Sequence, residues 1–218
     1  MAACTIVCSR RWERVNTEMT LPGAPEPPGE LPLFPLRTVL FPGGLLPLRI
    51  FEPRYLDMIG GCMRSSSPFG VLLIRAGGET GPVSALADIG TSAHVVVFEQ
   101  REDGLLGILC RGGRRFRVRT REVRPNGLHV AQVEWLPVAA ATPLAAIDQP
   151  LVAVLRKVLA KMGKSGRFLE PDFADAGWVS NRIAELLPLK PEHQQELLET
   201  DAAAERIARL APLVEIDP

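Results

Sequence analysis

Residues 31 to 59 read LPLFPLRTVLFPGGLLPLRIFEPRYLDMI, an apolar stretch interrupted by Pro32, Pro35, Pro42, Pro47 and Pro53. Proline fixes φ and carries no N–H, so prolines at this density forbid a long helix and favour short extended pieces, edges and turns. The stretch divides into Leu33–Arg37, Val39–Phe41 and Leu45–Ile50, with Gly43-Gly44 allowing a tight reversal. Several brief buried strands are expected, kept by the prolines from fusing into one aggregating edge.

Glu52-Pro53 reads as a helix start, with proline where its missing N–H is not needed. Tyr55, Met58, Ile59, Cys62 and Met63 then form a stripe on one helical face, and SSSP ends the helix. FGVLLIR (69–75) has the look of a buried strand, followed by a Gly-rich loop through Pro82. Four further strands are expected in IGTSAHVVVFEQ (89–100), GLLGILC (104–110), RRFRVRTREV (114–123) and LHVAQVEWL (128–136). Asp103-Gly104, Gly112-Gly113 and Asn126-Gly127 supply the turns between them. Hairpin-linked strands with one early helix point to a small, partly closed barrel.

After Pro137 the period changes. Leu151, Val154, Leu155, Val158, Leu159 and Met162 repeat as one face of an amphipathic helix. DFADAGWVSNRIAELLP gives a second helix stopped by Pro188, Pro191 opens a third, and Asp201 is placed to cap a fourth. The chain therefore divides into a lead-in over 1–29, a barrel over 30–137 and a helical bundle over 138–218.

Composition narrows the class. At 46% hydrophobic and 23% charged residues the chain is an ordinary soluble globular protein, and its zero net charge provides no global field toward nucleic acid or membrane. No apolar run approaches the ~20 residues that cross a bilayer. Cys4, Cys8, Cys62 and Cys110 make no disulfide framework, which fits a reducing cytoplasm. The first residues, MAACTIVCSRRWERVNTEM, are a poor secretory signal because the apolar part is short and the arginines follow it.

The segment ELPLFPLRTVLFPGGLLPLRIFEPRYLDMI closely resembles the opening of the amino-terminal, substrate-recognition domain of the ATP-dependent protease Lon. The likeness continues in DIGTSAHVVVFEQREDGLLGILCRGGRRFRV, HVAQVEWLP and ELLPLKPEHQQELLETDAAAERIARLAPLV. It covers Glu30 to about Val214 and implies an α+β fold: a PUA-like, mainly antiparallel pseudo-barrel with one early helix, then a C-terminal helical bundle. Lon proteases carry an ATPase and a Ser–Lys protease module after this domain, where this chain ends. The resemblance thus implies a stand-alone, non-catalytic module that binds protein or unfolded peptide segments and needs no cofactor.

The residues themselves offer little chemistry. Gly163, Lys164 and Ser165 are half of a phosphate loop, but they end a helix instead of opening one. No G-x-S-x-G elbow occurs, and His94, His129 and His193 have no carboxylate or Cys neighbour at ligand spacing. Cys4 and Cys8 are half of a zinc site without a second pair. No metal and no catalytic residue is therefore expected. In CRGGRRFRVRTREVR (110–124), Arg115, Arg117, Arg119 and Arg121 alternate with Phe116, Val118 and Thr120, which on a strand puts four guanidiniums on one face. One reading is a solvated face paired with Glu99, Glu102 and Glu134; the other is a basic stripe over Arg114–Arg121 for RNA phosphates. No aromatic residue lies on that face to stack bases, which favours the first, and neither DNA nor a membrane is expected as a partner. The candidate partner-binding residues are Phe51, Arg54 and Tyr55, at the junction of the early helix with the barrel, and Arg115, Arg117 and Arg119.

Overall fold

The computed structural model of the protein describes residues 29–78, 83–100, 105–161 and 168–214. Its strands are β1 (Glu30–Leu36), β2 (Leu45–Ile50), β3 (Phe69–Gly77), β4 (Val83–Leu86), β5 (Ile89–Gln100), β6 (Leu106–Val123) and β7 (His129–Trp135). β1, β7, β6, β5 and β3 are neighbours in that order, and the ring closes where β1 pairs with β3. That closing pair is parallel, from Leu33 opposite Gly70 to Leu36 opposite Leu73, whereas the other strand pairs are antiparallel. A parallel pair needs a long crossover, which here contains β2 and the helix α1 (Pro53–Ser65). The hairpin reading did not anticipate it. β2 lies outside the ring on the first half of β6, and β4 on the end of β3.

The prolines act locally as their chemistry dictates. Gly44 N–H donates to the Phe41 carbonyl at 2.9 Å with Gly43 at φ +72°, a turn with Pro42 and Gly43 at its corners. Pro47 stands opposite Leu109 in β2, which among the described residues pairs only with β6, so its missing N–H is directed away from that partner. Pro53 occupies the first turn of α1. The expected strand Val39–Phe41 does not form: Leu40 is buried in the barrel core, while Val39 and Phe41 are buried against the helices. Two cores pull alternate side chains of one short link, and it joins no strand ladder among the described residues.

Gly112-Gly113 is not a turn. β6 runs through it as one 18-residue strand, its first half between β2 and β5 and its second between β5 and β7. A Cβ on Gly112 would strike the Phe41 carbonyl, so glycine is there for close approach of two backbones. Asn126-Gly127 is the expected turn, with Gly127 at φ +81° and its N–H on the Arg124 carbonyl. Asp103-Gly104 lies outside the described residues, as does the whole of 1–28.

The helices α2 (Gln149–Ala160), α3 (Ala176–Leu186), α4 (Pro191–Glu199) and α5 (Ala203–Leu210) follow. Asp175 caps α3 by accepting from Gly177 and Trp178 N–H. Asp201 does not cap α5; Ala202 stands at that position, and the Asp201 carboxylate is taken by Arg115. The helical core is continuous with the barrel, since Leu151, Val179, Ile183, Leu198 and Leu210 share one buried cluster with Phe41, Leu73 and Ile89. The architecture is thus a mostly antiparallel sheet closed into a barrel with helices packed against it.

Candidate functional site

Across β2, β6 and β5 the register places Leu48 opposite Ile108 and Ile108 opposite Phe98. Directly opposed residues point to the same face. Leu46, Leu48 and Ile50 from β2 and Ile108 and Cys110 from β6 are buried in one cluster with Tyr55, Met58, Ile59 and Cys62 of α1. Toward β5 this cover runs out: Val95 and Leu106 are only partly buried and Phe98 is 48% exposed. Beyond Ala93, β5 pairs only with β6 among the described residues. An apolar sheet face therefore emerges from beneath α1 and ends at a strand with an uncovered side. Phe51, just past the end of β2, is also exposed.

Sequence reading assigned no role to Phe98. A signal existed, because Val95 to Phe98 are four consecutive apolar residues and a strand must put them on both faces. Which face would stay uncovered depends on where α1 lands.

Of the three residues expected at the helix–barrel junction, only Phe51 presents an apolar surface. Tyr55 is buried, its ring stacked on Phe34 at 4.1 Å between centroids, so it is a core residue and has no surface to offer. Arg54 is a clasp. Its Nη1 donates to the Gly127 carbonyl at 2.8 Å and its Nη2 meets Glu52 Oε2 at 2.7 Å, tying the start of α1 to the β6–β7 turn. Met63, expected on the buried stripe, is exposed.

The four arginines of β6 do not form one stripe. The register slips by one residue between Val118 and Thr120, leaving Arg119 as a bulge and bringing Arg121 opposite Ala131, whereas Arg117 is opposite Glu134. A one-residue slip sends following side chains to the other face. Arg115 lies against the helices, donating to the Leu198 carbonyl at 2.7 Å and to Asp201 Oδ1 at 2.6 Å. Arg119 is paired with Glu134, and Arg124 with Glu30. Arg117 is exposed.

The barrel–helix junction is filled. Arg182, 1% exposed, donates to the Pro42 carbonyl at 2.8 Å and pairs with Glu185 Oε2 at 2.6 Å, while Gln195 donates to the Ile89 carbonyl at 2.9 Å. Burial pushes the Arg182 guanidinium down and the Glu185 carboxyl up, each opposed by the charge of the other. Arg206 donates to Ser180 Oγ and to the Thr200 carbonyl; burial, with Arg115 nearby, brings its pKa down to about 10.

Among the described residues, no group of three His, Cys, Asp or Glu is placed to hold a metal ion. Burial raises the Cys62 thiol, keeping it protonated. A cleft between β1, β6 and β7 is lined by Glu30, Thr120, Arg121, Glu122 and Gln132, with no Ser, Cys or His. His129 is buried, and burial followed by the charges of Arg121 and Arg54 lowers its pKa. Cys4, Cys8 and Gly163–Ser165 lie outside the described residues. No helix among the described residues is long and apolar enough to cross a membrane.

Residues 30–215 match the family model of the ATP-dependent protease La (Lon) substrate-binding domain. The Lon protease of Paraburkholderia phytofirmans is 32% identical over 199 residues, covering 86% of this chain and 24% of that protein. Protein cereblon of Danio rerio is 31% identical over 111 residues, 49% of this chain and 25% of that one. The chain spans about a quarter of the length of the curated relatives it matches. Among solved structures, a Lon N-terminal domain protein from Xanthomonas campestris superposes with a TM-score of 0.70 at 36% identity, covering 85% of this chain and 99% of that one. The N-terminal domain of Mycobacterium avium complex Lon protease shares the fold at a TM-score of 0.56 and 17% identity, covering 84% and 96%.

Proposed function

The chain belongs to the Lon substrate-binding-domain family, and from that membership we propose that it is a non-catalytic module that binds extended, apolar segments of other proteins. The observation that carries the reading is the apolar face left open beside α1, where Phe98 is half exposed above the otherwise buried Ile108 and Leu48. A peptide laid along β5 would find backbone partners on the strand and an aromatic anchor in Phe98, with Phe51 a second anchor at the end of β2. The match to a substrate-binding domain supports a role in recognition. Cys62 and Cys110 are buried and form no disulfide among the described residues, which accords with a cytoplasmic setting.

The test is a titration of a fluorescently labelled, reduced and carboxymethylated protein, which stays unfolded, against the full chain. Phe98→Asp together with Phe51→Asp should weaken binding at least tenfold, about 1.4 kcal/mol. Val138→Asp, at an exposed apolar position in the link between barrel and helices, should leave it unchanged. Equal binding by the Phe98→Asp protein and the parent would refute the proposal. So would binding of a uridine homopolymer that falls steeply with salt while the unfolded protein does not bind.

A further inference from the structure

α1 has two consecutive glycines in its middle, Gly60 and Gly61, each costing about 1 kcal/mol of helix propensity relative to alanine. Nothing among the described residues calls for them. Among those residues a Cβ on Gly61 would meet no atom within 4 Å, and one on Gly60 only the far end of the Arg64 side chain, at 3.3 Å. Both glycines belong to the outward side of the helix, away from buried Tyr55, Met58, Ile59 and Cys62.

The same outward side carries Leu56, 39% exposed, and Met63, 38% exposed. At 3.6 residues per turn these two lie within about 20° of each other, with Gly60 about 40° further round and Arg64 and Asp57 about 80° and 100° round. Asp57 and Arg64 are exposed. The face is therefore a flat glycine centre with an apolar flank and a charged flank, and the charged flank bears one group of each sign.

Those flanks are self-complementary. Antiparallel pairing about a two-fold axis at Gly60 brings like flank to like flank and reverses the order along the helix. Leu56 then meets Met63 of the second copy on one side, and Asp57 meets Arg64 of the second copy on the other. Each contact occurs twice, and Gly60 faces Gly60 where the backbones approach. We infer that α1 is a self-association face, pairing antiparallel with α1 of a second copy of this chain. A single helix pair lies at the small end of specific interfaces, below ~1,200 Å², so the dimer is a weak one. The inference does not rest on the proposed binding of apolar segments.

Sedimentation equilibrium of the full chain between about 10 and 300 µM tests it over the range expected of a small interface. The parent protein should shift from monomer toward dimer with rising concentration. Asp57→Arg and Arg64→Asp each set like charges against each other twice and should abolish the shift. The double variant, D57R with R64D, restores opposite charges across the axis and should recover it, whereas Gly60→Leu should block it. A parent that stays monomeric throughout, a dimer indifferent to either single charge reversal, or a double variant that stays monomeric would each overturn the inference. Phe98→Asp, which tests the peptide face, should leave self-association intact, so the two ideas fail separately.

Discussion

Two apolar regions of this molecule end differently. Where the barrel meets the helices, Phe41, Leu73 and Ile89 run directly into Leu151, Val179 and Ile183, and three buried side chains reach backbone carbonyls there: Arg182 that of Pro42, Gln195 that of Ile89, Arg206 that of Thr200. Beneath α1 the apolar face is just as dry at Ile108 but continues outward to Phe98 with nothing described above it. A buried guanidinium has to satisfy several donors with fixed geometry, so it holds the two halves in one arrangement. A half-exposed phenyl ring beside an open strand constrains nothing and remains available. The first region serves rigidity; the second is the face proposed for contact.

That contrast breaks first at Phe41. Phe41→Ala empties a site shared by the link and the helices and should cost about 3–5 kcal/mol, lowering Tm by about 2–4 °C for each kcal/mol. Phe98→Asp should change the thermal melt by less than ~0.5 kcal/mol, as for an ordinary surface substitution. If the two melts fell together, the open face would be structural. Arg182→Ala comes next, at about 3 kcal/mol in urea unfolding, because Glu185 is left behind without its partner. Arg115→Ala removes bonds to Leu198 and Asp201 and should cost about 1–2 kcal/mol.

His129 sharpens the comparison through pH. Its folded pKa lies below the ordinary 6.5, so below that pH the unfolded chain takes up a proton that the folded imidazole resists. The unfolded state then binds more protons, and stability falls as pH drops below 6.5. His129→Gln should flatten that part of the profile in urea unfolding at stepped pH. Smallest is Arg119→Ala, which breaks an exposed pair with Glu134 and should stay within about 0.5 kcal/mol.

Much of the fold was legible from residues alone. The start of α1 at Pro53, the turn at Asn126-Gly127, the start of α4 at Pro191 and the change of period after Pro137 each follow from groups a few positions apart. The misreadings have one cause. Gly112-Gly113 carries turn residues, but the Phe41 carbonyl, far away in sequence, made glycine necessary inside a strand. Arg115, Arg117, Arg119 and Arg121 alternate faultlessly on paper, and a bulge against β7 undid the alternation. Tyr55 reads equally well as core or anchor, and Phe34 decided it.

By itself, then, the sequence determined where the helices and most of the strands lie, and that the chain joins a barrel to helices. Proline geometry, glycine turns and the 3.6-residue period act through bonds and neighbours close along the chain. Only the tertiary structure decided that β1 closes on β3, that Arg115 turns inward and that Phe98 is left uncovered. Those outcomes depend on which distant surfaces meet, and in what register, and a strand's side chains exchange faces for a shift of a single residue.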